Sequence, residues 1–585
     1  MRRAPTGAGW GILRPMGRAF GVALVLLLAA LACADRIILI PLDSRPAAGH
    51  FAQMIARMAD VEVSMPPYEL LGRFTQPGKP DEILTWLRDQ DFSDVVAVVV
   101  STDMVAYGGL IASRVPDTPL IESERRLRRL VIIRSRQPRV PFYGFSAVMR
   151  LFPTSTRANA AWRLQLGRYA EMKERFERTG EPASRRSMQN LLARIPPLEI
   201  ARYEETRARN HEIQRLLIRL TRSGTFDYLI LGQDDAQPFG PHIPEQRALA
   251  AYIAAQGVQS KVYLCEGIDQ HANVLVSRAL LRRSGWTPRV RIVYSDPAGR
   301  HKTANYESKN VESSLRDQIL ASGARPAIRA DEYDYTLFVN TPNPRKEEFA
   351  DFLSRLKEDL DQGFPVAVAD INLGKDGTGD PRLFAALMTN ERMVRLLSYA
   401  GWNTAGNTMG TAIPTANVYL LARRQQVDPL VREIARREFL LHRYVNDFEY
   451  HRFVRPLAYR MIDDMPRASR EEVYGSEFAD VDRFVRETLA DHLGRVFREQ
   501  FLGRSFFAGT GQFVISGLEN VRVFLPWPRV YEVRLEFRMQ SVSAAEWQAA
   551  SNVLTQGNGP DPDHPTPPDP VAPPPPPRNP NPDRP

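Results

Sequence analysis

The sequence predicts an α/β fold: a main domain of βα units in a (β/α)8-barrel-like arrangement, with an open doubly wound sheet as the alternative topology. Three observations predict it. Continuous apolar runs recur, as strands buried on both faces require. Helical stretches alternate with them from 35 to 421, the order of a mostly parallel sheet. Finally, three of the runs break into carboxylate-bearing turns: Asp43-Ser44-Arg45 after 37–42, Ser101-Thr102-Asp103 after 95–100, and Gly232-Gln233-Asp234-Asp235 after 228–231. Loops at the carboxyl ends of parallel strands build active sites, so the repetition predicts one shared polar pocket.

Strands are expected at 36–42, 61–65, 94–101, 142–148, 228–232, 261–266, 290–294, 335–340 and 366–371, close to the eight of a barrel. Helices are expected between them at 80–88, 123–134 and 245–255. The polar helical interval 154–223 is too long for a plain crossover and reads as an inserted helical hairpin broken near Pro196-Pro197. From 422 to 545 the alternation stops. Arginine-rich helices at 429–459 and 479–501 precede a β hairpin of 521–525 and 531–538, whose connection Pro526-Trp527-Pro528 reads as a plain turn packed on the main domain. The segment 546–585, with five consecutive prolines at 573–577, reads as a disordered tail.

A hydrophobic share of 43% against 25% charged residues places the chain among globular proteins. Residues 1–34 differ from the rest: Arg2, Arg3, Arg14 and Arg18 precede an acid-free apolar stretch ending in Ala32-Cys33-Ala34. This is the pattern of a secretory signal peptide, and it predicts export to the periplasm, the cell envelope or the exterior. Membrane contact is expected only through an uncleaved anchor or a lipid on Cys33. Cleavage would lower the formal charge from +9 to about +5. The basic residues are interleaved with acids at helix spacing and form no compact run with aromatics, so no nucleic acid is expected as partner. The remaining Cys265 excludes an intrachain disulfide framework.

The candidate chemistry sits at the strand ends. Adjacent carboxylates in unlike environments can separate into a proton donor and an anion, the requirement of glycosidic cleavage. Asp234 and Asp235 are therefore the expected catalytic pair, as acid and orienting carboxylate. The adjacency is similar to that in hexosaminidases that use the substrate's own acetamido group. Asp103, Tyr107 and Arg114 flank Gly108-Gly109, whose amides are expected to face a ligand. Arg45 suits an anionic group or Asp43. Asp370 and Asn372 precede the glycine-rich loop 374–380, and Trp402, Asn403 and Asn407 combine an indole with amides, as sugar recognition demands. These residues are the expected substrate binders, for a glycan or other small ligand. The glycines match neither a dinucleotide fingerprint nor a P-loop, so no cofactor is expected. His271, beside Glu266 and Asp269, gives an alternative metal set with Asp43, Asp103 and Asp235.

Ile40-Pro41-Leu42-Asp43-Ser44-Arg45-Pro46, Asp103-Met104 with Tyr107 through Arg114, Gly232-Gln233-Asp234-Asp235, and Gly401-Trp402-Asn403-Thr404 with Asn407 together resemble a bacterial family, domain of unknown function 4127. The resemblance spans 35 to about 538 and implies a single large unit whose motifs belong together. It implies no reaction. The expected function is a hydrolase acting on carbohydrate. The alternatives are a metal-dependent amide or phosphate-ester hydrolase and a non-catalytic glycan-binding envelope protein.

Overall fold

The structure, a computed structural model, describes residues 35–557 except 330. The expected signal segment and most of the expected tail lie outside these residues.

Eleven parallel strands form two open sheets. The first contains β1 (Arg36–Ile40), β2 (Glu62–Ser64), β3 (Val95–Ser101), β4 (Phe142–Val148), β5 (Tyr228–Gln233) and β6 (Val262–Glu266), in the order β2-β1-β3-β4-β5-β6. The second contains β7 (Arg289–Tyr294), β8 (Arg325–Pro326), β9 (Tyr335–Asn340), β10 (Val366–Asp370) and β11 (Ser398–Ala400), in the order β11-β10-β9-β7-β8. The barrel-like arrangement is thereby corrected to the doubly wound alternative. A barrel needs each strand to pair with its successor around a closed ring. Here β1 pairs with β3 as well as β2, and β7 with β9 as well as β8, so the winding reverses in each sheet. Counted from its own first strand, each sheet reads 2-1-3-4-5, the first with one strand more.

Burial follows that winding. Alternate residues of β1 enter different cores: Ile37 and Leu39 on one face, Ile38 and Ile40 on the other. The outer face is covered by helices Pro80–Arg88, Leu120–Ser135, Pro197–Arg222 and His242–Ala255. Helices His50–Arg57, His271–Ser284, Val311–Ala321 and Ala405–Arg424 occupy a middle layer, in one core with Leu337 and Val339 of β9 and Ala367 and Ala369 of β10. The far face of the second sheet, through Phe338, Val366 and Val368, packs on helix Lys346–Asp361 and the C-terminal elements.

The interval 154–223 holds three helices rather than a hairpin alone. Arg163–Thr179 and Pro182–Leu192 pair, whereas Pro197–Arg222 buries Ile213, Leu217 and Ile218 against the first sheet and is the β4–β5 crossover. The C-terminal β element is also larger than the expected hairpin: β12 (Ser505–Ala508), β13 (Gly511–Phe524) and β14 (Arg534–Ser543) form an antiparallel sheet. Helix Ala544–Gly557 occupies the start of the segment read as tail. Residues 429–463 wind continuously, with a π-helical stretch at Tyr444–Val454. Among the described residues no helix is long and apolar enough to cross a membrane.

Candidate functional site

Asp43, Asp103, Asp234 and Asp269 follow β1, β3, β5 and β6 directly, so the parallel sheet carries them to one end of the molecule. There they meet three arginines. Arg45 binds Asp43 through Nε at 3.0 Å and Asp269 through Nη2 at 2.7 Å. Arg114 donates from Nε to Asp234 at 3.0 Å and from Nη1 to Thr154 at 2.8 Å. Arg150, which follows β4, pairs with Asp235. Asn407, in the first turn of helix Ala405–Arg424, extends its amide to Asp269 at 3.5 Å and brings the second half of the chain to the cluster.

The adjacent acids differ in exposure. Asp234 and Arg114 each retain 5% of their side-chain surface, whereas Asp235 and Arg150 retain 25% and 22%. Burial pushes Asp234 upward, but Arg114 and Arg150 outweigh it and hold the carboxyl below its ordinary value. For Asp235 burial prevails over Arg150, the negative charge of Asp234 adds to it, and the carboxyl lies above its ordinary value. Of the two, Asp234 is the carboxyl held low and Asp235 the one held high, although each stands against an arginine. Beneath them, burial raises Asp103 to about 7, with the Asp234 charge adding, while Oδ2 of Asp103 accepts from the Ala147 amide at 2.9 Å.

Two arginines of the crossover helix hold the segments that carry Arg114 and Arg150. Arg209 donates to the carbonyls of Ser113 at 2.8 Å and Val115 at 2.8 Å. Arg207 donates to those of Met149 at 3.0 Å and Arg150 at 2.9 Å, and its Nε binds Glu245 at 2.7 Å.

The connection between β13 and β14 roofs the cluster. Trp527 is fully buried, donates from Nε1 to Ser44 Oγ at 2.9 Å, and lies 4.9 Å from the Arg45 guanidinium. Glu532 stands 3.7 Å from Arg45, and Tyr531 donates to Asn403 Oδ1 at 2.6 Å. Asn403 has φ +58°, in the left-handed region asparagine tolerates better than most residues. The expected plain turn is therefore part of the site. A hollow of about 430 Å³ adjoins Asp43 and Arg45 and is also lined by His50, Gln53, Tyr68 and Arg534.

Other candidates have different surroundings. Asp103 and Arg114 are not paired with each other; Arg114 is engaged by Asp234. Tyr107 is 3% exposed and packs under Arg209 at 4.3 Å, so it is a core residue rather than a binder. Trp402 is likewise buried, edge-on to Phe51, with Nε1 donating to Thr411 at 3.3 Å, and its ring has no free face for a sugar. Gly108 and Gly109 have φ +96° and +126° and allow backbones to approach: a Cβ on Gly108 would stand 3.0 Å from Gly78 and one on Gly109 3.2 Å from the Leu42 carbonyl. They pack chain on chain rather than presenting amides to a ligand.

Asp370 and Asn372 form a second knot, at the end of β10. Asn340 donates to Asp370 at 2.9 Å, the Asp380 amide donates to it at 2.6 Å, and Asn372 donates to Asp380 at 2.8 Å. His271 is fully buried beneath Gly232, where burial lowers it to about 3. Among the described residues no three His, Cys, Asp or Glu side chains converge as a metal site requires, and the alternative set with His271 is not assembled.

Arg150, Asp269, Trp527, Tyr531 and Glu532 were not among the expected site residues. Asp269 alone had a local signal, since it follows a strand end as the chosen acids do.

A doubly wound α/β protein with an arginine-paired acid cluster at the strand carboxyl ends is the class that fold and site define. A family model described as protein of unknown function (DUF4127) matches residues 37–536, and the chain belongs to that family. Nothing among curated proteins and nothing among solved structures matches it.

Proposed function

We propose that the chain is an exported hydrolase acting on carbohydrate, with Asp235 as proton donor and Asp234 as the fixed anion beside it. One observation carries the reading: two consecutive carboxylates at a strand end in unlike surroundings, Asp234 sealed against Arg114 and held low, Asp235 25% exposed beside Arg150 and raised by the burial of the remainder and by the Asp234 charge. Unlike carboxyls of this kind divide acid and anion roles in glycoside cleavage. In the proposed step Asp235 gives its proton to the glycosidic oxygen as the bond to the anomeric carbon breaks. Water then supplies the hydroxyl to that carbon and returns a proton to Asp235. Asp234, sealed behind it against Arg114, keeps its charge beside Asp235 and so favours the protonated form of Asp235 between turnovers. In this reading Arg150, beside Asp235, and the Tyr531–Asn403 pair supply the polar groups for sugar hydroxyls.

The test is turnover of chromogenic glycosides and bacterial wall fragments by the parent protein, Asp235→Asn and Asp234→Asn. Asp235→Asn is expected to lower kcat by about 10²–10⁴, the usual worth of a general acid. Unchanged turnover in that variant, or none by the parent on any glycoside, ends the reading.

A further inference from the structure

At the opposite pole, where the strands of the first sheet begin, a crevice of about 970 Å³ opens between β3, β4, β5, β6 and the end of helix His271–Ser284. Its floor holds Tyr143, Tyr228 and Arg278, and its rim Arg139, Lys261 and Arg282. The acids lining it are already engaged: Asp94 by Arg36 at 2.8 Å, Asp227 by the Phe142 amide at 2.9 Å, and Asp35 by Arg283 at 2.5 Å. Among the described residues Arg139, Lys261, Arg278 and Arg282 have no carboxylate within 4.0 Å. Arg278 instead donates to the Leu320 carbonyl at 3.0 Å and lies 3.4 Å from the Tyr228 ring centroid. Burial and the neighbouring Arg282 both lower its pKa, the mark of a cation short of counter-charge.

The C-terminal end of helix His271–Ser284 accounts for part of this charge, since cations complement that end of a helix. It does not account for Arg139 and Lys261, which precede β4 and β6 on other segments. We infer that this crevice is a binding site for a compact phosphate-bearing anion, held ionically by Arg139, Lys261, Arg278 and Arg282. A hollow of this size suits a small molecule. Arg278 already covers Tyr228, so that ring is not available for base stacking, and recognition rests on charge. The sequence, read locally, shows no compact basic patch; the sheet assembles one from residues 139 to 282.

Pyrophosphate titrated calorimetrically into the purified protein at low salt tests the inference. One-site binding is expected, weakened about a hundredfold or more in Lys261→Gln/Arg282→Gln, because each of the two charge-assisted contacts removed is worth at least about a tenfold change. Both residues are exposed, so the fold should persist, and Arg168→Gln on a remote exposed helix face is the control. A second arm uses vesicles containing phosphatidylglycerol against vesicles of phosphatidylcholine alone. Vesicle binding that pyrophosphate displaces assigns a lipid headgroup as the source, and pyrophosphate binding without vesicle binding assigns a soluble phosphate. No binding in either arm, or binding equal in the double variant and the control, overturns the inference.

Discussion

At the carboxyl ends of the first sheet, carboxylates meet guanidinium groups, and one pair is partly open to solvent. At the matching ends of the second sheet, Asp370 is fully sealed and bound only by amides, those of Asn340 and the Asp380 backbone, while Asp380, 3% exposed, is held by Asn372 and by one guanidinium, that of Arg382. The two sheets share a winding order, so topology alone delivers acids to a strand end. Whether those acids face a ligand depends on what covers them. Helix Pro197–Arg222 and the β13–β14 connection leave Asp235 an opening; loop 374–380 closes over Asp370.

The sharpest way to break this comparison is Arg114→Met. It strands the Asp234 carboxylate in a sealed site, and removing one partner of a buried pair costs about 3–5 kcal/mol. Urea unfolding of the variant should show that loss, and a loss below about 1 kcal/mol would mean that the inner pair is not sealed. Trp527→Ala should cost a similar or slightly smaller amount, about 3–4 kcal/mol, because it removes a fully buried indole that joins roof to site. Near-native stability there would detach the roof from the first sheet.

The sealed knot predicts a pH effect. Burial, with Asp380 adding, raises Asp370 to about 7 from an ordinary 3.8. A carboxyl raised on folding makes its full contribution below its unfolded value, and that contribution is lost as pH climbs through the folded value. Between about pH 4 and 7 the parent should therefore lose up to about 4 kcal/mol that Asp370→Asn does not lose. Parallel curves for parent and variant would show the knot to be insensitive to protonation. The smallest effect belongs to the open pair: Arg150→Gln should change stability by about 1 kcal/mol or less, as part-exposed ion pairs do. Glycoside turnover measured alongside should fall, and equal turnover would remove Arg150 from the proposed site.

Much of both sheets was legible locally. The runs 142–148 and 335–340 match β4 and β9 because largely apolar stretches of strand length, rich in aromatic and β-branched residues, have few other uses. Arg325–Pro326 and Ser398–Ala400 were missed because strands this short carry too few residues to show a period, whereas the equally short β2 lies within the apolar alternation Val61, Val63, Met65. Sheet closure was not legible either, since the pairing of β1 with β3 on its other side, in addition to β2, is long-range. The acids of the site announced themselves by position after strands. Arg150 looked like any of many arginines, and Trp527 reaches Ser44 across 483 positions, a distance over which no local pattern carries information. Trp402 misled because its neighbours are amides in sequence, whereas its ring is enclosed by Phe51 and the middle helices.

That middle layer has a mechanical consequence. One continuous apolar core runs from Ile37 through helix Ala405–Arg424 to Val339, so each sheet leans on the same helices. Swinging the sheets apart would wet both inner faces at once, at roughly 25 cal/mol for every Å² uncovered. The molecule is thus a welded stack and not a clamshell, and the acid cluster keeps its partly open side at Asp235 and Arg150 without any parting of the sheets.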